Sequence, residues 1–281
     1  MNKMEWNGQK LVVDGHRFVA ATFTSAKSRP GRLVLWKDRP LIEALTAILD
    51  EVQPARIFEI GIARGGSTGF IGAYAPPQKL AAIDYSPEPV EPLTQFIKAA
   101  KLEGNIFPFY GVDQGDVGRL REIAAEVFAG EPLDLVIDDA SHRLDKTRRS
   151  FETLFPLLRP GGVYAIEDWQ WGLKPLPPEV RAADPKKWSY LATGQSLALL
   201  PMELVMAAAK GGVIESISVD RHFVKVVRGP GDLSDSFQLE DLYPREAKEL
   251  LGSHAILEND SMENTTTVSN SGTTLDQRPK S

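Results

Sequence analysis

An α/β fold, with a doubly wound and mostly parallel sheet of seven strands finished by a C-terminal antiparallel hairpin, is predicted by three observations. Five short apolar runs are bounded by turn residues, the stretches between them carry apolar residues at helical spacing, and two further strand-like runs flank position 220. Alternation of this kind implies right-handed crossovers and a sheet covered on both faces.

The elements follow in order. Residues 10–20 alternate around Asp14-Gly15, a dipeptide suited to positive φ, and predict a hairpin within an N-terminal arm, 1–37. Asp38 and Pro40 start a helix whose Leu41, Leu45, Ile48 and Leu49 share one face. The parallel strands are Arg56–Ile60, Leu80–Asp84, Ile106–Tyr110, Leu133–Ile137 and Val163–Ile166. Leu93, Phe96, Ile97 and Ala100 mark one intervening helix, and Leu120, Ile123, Ala124 and Val127 the next. A third helix, 145–158, is expected to stop at the turn Arg159-Pro160-Gly161-Gly162.

Residues 169–205 interrupt the rhythm with Trp169, Trp171, Trp188, Tyr190 and five prolines, which reads as an insertion on the substrate side. Val213–Val219 and His222–Val227 form the closing hairpin. The main domain is therefore expected over 38–230, an extension over 231–257, and a disordered tail over 258–281, where the sequence is too polar to offset its ordering entropy.

Composition narrows the function. A net charge of -6 offers no attraction for polyphosphate or an anionic membrane, so nucleic acid and membranes are not expected partners. No apolar run is long enough to span a bilayer and the first residues lack the apolar core of a secretory signal, so a cytoplasmic location is expected. With no cysteine, disulfides and thiolate chemistry are excluded, and a metal must be held by oxygen or imidazole.

Two groups of residues carry chemistry. Glu59 and the glycine loop Gly61, Gly65, Gly66, Ser67 follow the first parallel strand and open a helix, where open parallel sheets bind ligands. Gly61 allows a sharp turn, Gly65 and Gly66 clear a path for a ligand, and the helix N-terminus offers free N–H groups. The spacing is not GxGxxG. Asp84 ends the second strand where a carboxylate accepts from ribose hydroxyls, and Asp113 or Gln114 follows the third strand near an adenine edge. Downstream, Asp138, Asp139 and His142 end the fourth strand and Glu167-Asp168 the fifth, so two acidic pairs and a base converge on one sheet edge. Each Asp alone is as readily a helix cap. His16, His222 and His254 are read as structural, and Arg143, Lys146, Arg148 and Arg149 as a solvated face.

The strand-end acid, glycine loop and ribose acid, in that order, resemble the class I S-adenosylmethionine-dependent methyltransferases, with their Rossmann-like sheet, over roughly residues 40–230. That likeness implies Gly61 and Ser67 against the methionine part of the cofactor, with Glu59 and Gly65 in the same motif. It also implies Asp84 on the ribose, Asp113 and Gln114 near the adenine, and Asp138 close to the cofactor. The DDASH run with the later IED resembles the metal-dependent macrocin- and mycinamicin-type sugar O-methyltransferases, and also cephalosporin hydroxylase-like proteins. By that resemblance Asp139, Glu167 and Asp168 hold Mg²⁺ or another divalent cation and His142 is the general base. Carboxylate oxygens suit Mg²⁺, and imidazole accepts a proton near neutral pH.

The expectation is a divalent-metal-assisted O-methyltransferase acting on a small-molecule hydroxyl, sugar-containing or of a natural product. An N-acceptor stays open, as do an iron oxygenase on the same pocket, a nucleotide-dependent dehydrogenase, a non-catalytic cofactor binder, and a homo-oligomeric state.

Overall fold

In the computed structural model, which describes residues 4–22, 26–170, 173, 196–234 and 236–243, the chain first builds a small four-stranded sheet. Its strands are β1 (Met4–Asn7), β2 (Lys10–Val13), β3 (His16–Ala20) and β4 (Leu33–Leu35), ordered β1-β2-β3-β4. The β2–β3 turn takes positive φ at Asp14 and Gly15, the geometry that lets a tight turn follow strand twist. β4, which pairs parallel to β3, was not among the strands expected.

The seven-stranded sheet comprises β5 (Arg56–Ile60), β6 (Lys79–Asp84), β7 (Ile106–Tyr110), β8 (Leu133–Asp138), β9 (Leu158–Glu167), β10 (Ile214–Val219) and β11 (Phe223–Arg228). Their order is β10-β11-β9-β8-β5-β6-β7, parallel from β9 to β7, with the β10–β11 hairpin antiparallel at the β9 edge as expected. After β5 the chain winds outward to β7 and then returns to β8 on the other side. The carboxyl ends of β5 and β8 therefore flank the crevice where such sheets bind ligands.

Helices α1 (Arg39–Val52), α2 (Gly66–Tyr74), α3 (Glu91–Ala99), α4 (Val117–Phe128), α5 (Leu144–Leu154) and α6 (Leu199–Ala208) accompany the sheets. Asp38 caps α1 by accepting from the Leu41 N–H at 3.0 Å. Two apolar clusters result. One joins β5, β6, β8 and β9 to α4, α5 and α6, and the other joins α1, α2 and α3 to the small sheet through Leu11, Val13, Phe18, Leu35 and Phe70. The N-terminal strands are thus built into the same core as the glycine-loop helix.

Two boundaries differ from the sequence expectation. α5 ends at Leu154 and passes through a 3₁₀ turn, Phe155–Leu157, because Pro156 has no N–H to continue the α ladder. Arg159 to Gly162, expected as a turn, lie within β9, where the register with β8 slips between Leu133 and Leu135. No described helix is long and apolar enough to cross a membrane. Trp171, Trp188, Tyr190, His254 and the tail 258–281 lie outside the described residues.

Candidate active site

One cleft of about 290 Å³ opens at the carboxyl ends of β5, β6 and β8. Ile60, Gly61, Ile83, Asp84, Tyr85 and Asp139 are among the residues that line it, so Asp84 and Asp139 face the same space. Asp84 is fixed as it leaves β6: its Oδ2 accepts from Ala63 N–H at 2.6 Å and its Oδ1 from Ser86 N–H at 2.8 Å. The acid thus ties the glycine loop to the end of β6.

The loop glycines have reasons beyond ligand access. Gly61 has φ +112, and a Cβ there would lie 2.0 Å from the carbonyl oxygen of Asp139, so the loop after β5 touches the backbone after β8. A Cβ on Gly65 would strike Leu93, and one on Gly66 the carbonyl of Val34. The space around Gly65 and Gly66 is thus filled by α3 and by the strand before Lys37, which corrects the expectation of an open approach path. Close packing is what those positions demand.

Asp138 and Asp139 face opposite ways, as neighbours at a strand end do. Asp138 is buried and accepts from Gln114 Nε2 at 2.7 Å, Ser150 Oγ at 2.9 Å and Tyr164 OH at 2.8 Å. Burial pushes its carboxyl up to about 7, against the pull of those donors. It does not line the cleft, so the expected place of Asp138 beside the cofactor is replaced by an internal network. Gln114 does line the cleft, yet its amide is committed to Asp138 and, through Oε1, to Ser141 Oγ at 2.6 Å. Asp113 is engaged by Lys146 Nζ at 2.5 Å, and although burial raises its carboxyl, that ammonium leaves it below its ordinary value. Lys146, expected on a solvated face, lies in the cleft wall.

The acidic end gathers Asp139, His142 and Asp168 tightly. One ligand atom from each lies within 4.8 Å of the others, and His142 Nε2 sits 4.0 Å from Asp139 Oδ1 and 3.9 Å from Asp168 Oδ2. Both His142 and Asp168 adopt positive φ, 51° and 53°, and such backbone outliers concentrate where function holds them in place. Hard carboxylate oxygens are donors that suit a divalent cation, so the acids present fit such an ion, with the imidazole of His142 beside them. Asp168 is raised by burial and by Asp139, with His142 pulling the other way.

Glu167 stands apart from this trio. It is buried, and its Oε1 accepts from Lys37 Nζ at 2.5 Å, while the same ammonium donates to Asp139 Oδ2 at 2.6 Å. Burial alone would lower Lys37, but the two carboxylates outweigh it and hold the ammonium above its ordinary value. Burial and the nearby Asp139 push Glu167 up to about 8 despite Lys37. Sequence reasoning missed Lys37 altogether, since nothing in Leu33–Asp38 signals contact with residues more than a hundred positions away.

Glu59 is buried behind the loop; burial pushes it up to about 7, with Ser67 opposing. Among the described residues its Oε2 has no hydrogen-bond partner, although Glu59 does not line the cleft. Trp169 Nε1 donates to the Asp220 carbonyl at 2.7 Å, which joins the end of β9 to the hairpin.

Residues 58–169 match the family model of a methyltransferase domain. A relative from Streptomyces olivaceus, the 8-demethyl-8-(2-methoxy-alpha-L-rhamnosyl)-tetracenomycin-C 3'-O-methyltransferase, is 35% identical over 172 residues, covering 54% of this chain and 40% of that protein. The mycinamicin VI 2''-O-methyltransferase of Micromonospora griseorubida is 50% identical over 56 residues, 20% of this chain and 13% of that one. Among solved structures, the MycE methyltransferase in complex with Mg, SAH and mycinamycin VI superposes with a TM-score of 0.48 at 27% identity, covering 66% of this chain and 49% of that chain. The chain spans less than half the length of each of these relatives.

Proposed function

We propose, from the premise that residues 58–169 are a methyltransferase domain, that this chain moves a methyl group from S-adenosylmethionine to a hydroxyl of a small glycosylated acceptor in the cytoplasm, assisted by a divalent cation. The observation that carries this reading is a cleft lined by both Asp84 and Asp139. A carboxylate suited to a ribose and the first member of the Asp139, His142 and Asp168 group thus border one space.

When bound, the cofactor would supply a methyl on positive sulfur and the cation would make a nearby hydroxyl more acidic. Asp84, held by the N–H groups of Ala63 and Ser86, would accept from ribose hydroxyls through its remaining lone pairs. Glu59, whose buried Oε2 lacks a partner, would accept from the amino group of the methionine part. Asp139 and Asp168 are the oxygen donors for the cation, with His142 between them. His142 Nε2 would take the acceptor hydroxyl's proton and so leave its oxygen as the nucleophile. Holding the acceptor and methyl in line accounts for several kcal/mol of the acceleration. Relatives named for rhamnosyl and mycinamicin O-methylation support a sugar hydroxyl as the acceptor.

The test is transfer of label from methyl-labelled S-adenosylmethionine to rhamnosylated polyketides and to the same aglycones without sugar. Label is expected on the glycosides only, lost on chelation and restored by Mg²⁺. Equal labelling of the aglycones, or indifference to chelation, would overturn the reading.

A further inference from the structure

The strand order fixes what stands beside Asp168. The cleft with Asp84 opens at the carboxyl ends of β5, β6 and β8, whereas Asp168 follows β9 and the next strand outward is β11. β11 runs antiparallel to β9, so the turn that precedes it reaches the carboxyl end of β9. Phe223 and Glu167 are the last pair of that ladder, and the next residues outward are His222 and Asp168. The turn itself is fixed. Asp220 Oδ1 accepts from the N–H groups of His222 at 2.6 Å and Phe223 at 2.8 Å, and the Asp220 carbonyl accepts from Trp169 Nε1 at 2.7 Å. The half-buried His222 acts on its neighbour: burial raises the Asp168 carboxyl, while His142 and, more weakly, His222 draw it back. His222 is not one of the three residues whose ligand atoms lie within 4.8 Å of one another. It flanks the candidate cation site without belonging to it.

We propose that His222 is an acceptor-binding residue: its imidazole hydrogen-bonds the hydroxyl next to the one that is methylated, and so selects acceptors with two adjacent hydroxyls, as on a sugar ring. The inference rests on the function proposed above. With the cofactor on the Asp84 side and the reacting hydroxyl at His142, a neighbouring hydroxyl directed toward β11 meets His222. An imidazole suits that partner, because one ring nitrogen donates and the other accepts, as a hydroxyl does.

The test measures methyl transfer to the rhamnosylated polyketides by the full-length chain, His222→Ala and His222→Gln, with thermal melting to confirm that each is folded. His222→Ala should raise the KM of the glycoside about tenfold, the effect of one lost hydrogen bond, and keep the parent's affinity for S-adenosylhomocysteine. His222→Gln, which retains a donor and an acceptor, should recover most of that loss. Removing the sugar hydroxyl beside the labelled position should raise the parent's KM about tenfold and that of His222→Ala no further, since both changes delete the same bond. In a second readout, Mn²⁺ added to protein with ¹⁵N-labelled histidine should broaden the ring signals of His142 and His222 and spare that of His16, on β3. An unchanged KM in His222→Ala, an equal penalty for the deoxygenated glycoside in both proteins, or a His222 signal that stays sharp while His142 broadens overturns the role given to His222. If His222→Ala does not fold, His222→Phe, which keeps a ring and removes both nitrogens, takes its place. A parent that labels no glycoside, or His142 and His222 signals that both stay sharp, overturns the function proposed above and the His222 role with it.

Discussion

Replacing Gly61 with alanine tests whether the loop after β5 and the backbone after β8 form one unit. The added Cβ would sit 2.0 Å from the Asp139 carbonyl oxygen. Ordinary nonbonded contacts lie near about 3.5 Å, so that carbonyl must retreat by at least about 1 Å. Alanine at φ +112 adds backbone strain of about 1–3 kcal/mol, and overpacking against backbone adds about as much again. The variant should therefore lose about 2–6 kcal/mol of stability in urea titration. A displacement of about 1 Å at Asp139 also carries a rate penalty of roughly 100-fold. Gly111→Ala is the control: its φ is +70, but the nearest atom, on Pro87, is 3.6 Å away, so only the left-handed strain of about 1–2 kcal/mol applies. Urea unfolding, calorimetric binding of S-adenosylhomocysteine and methyl transfer would be measured for both. If Gly61→Ala matched Gly111→Ala in stability and rate, the close approach at Asp139 would have no bearing on the site.

Three further outcomes are expected. His142→Ala should lower methyl transfer by roughly 100-fold to 10,000-fold at saturating cofactor, the range for loss of a general base, with cofactor affinity retained; a parent-like rate would remove the base assignment. Asp84→Asn should weaken S-adenosylhomocysteine binding by about 1.5–3 kcal/mol, the value of hydrogen bonds to a charged group, and an unchanged dissociation constant would place the ribose elsewhere. Glu59 keeps its proton up to about pH 7 in the fold but only to 4.5 when unfolded. The folded protein therefore binds the extra proton between those values, and stability falls as pH rises through that window. Glu59→Gln cannot ionise, so it should melt like the parent below pH 4.5 and be more stable by about 3 kcal/mol above pH 7. Parallel pH profiles would contradict the raised carboxyl.

The five parallel strands were legible because a strand buried on both faces is a near-continuous apolar run, as in Leu135 to Ile137, all buried. The Asp14-Gly15 turn was legible because its backbone demand is local. Much of the site is not local. Sequence places Asp138 and Asp139 at a strand end but not which of them faces the cleft, since that depends on which side of the sheet the crevice opens. Lys37 depends on the small sheet packing over α2, which brings its ammonium to Asp139 and Glu167 across separations of 102 and 130 residues. Pro156 does carry a helix-stop signal, and attention to it, ahead of Pro160, would have ended α5 correctly. The glycines of the loop were readable as close approaches, but the partners they approach, Leu93, Val34 and Asp139, are set by tertiary packing.

Crystals of the chain grown with S-adenosylhomocysteine and Mn²⁺, with data collected at the manganese absorption edge, test the central claim most directly. The account predicts cofactor density with its ribose on Asp84 and an anomalous peak held by Asp139 and Asp168 in the same cleft. Cofactor bound away from Asp84, or manganese found anywhere but at Asp139 and Asp168, would contradict it.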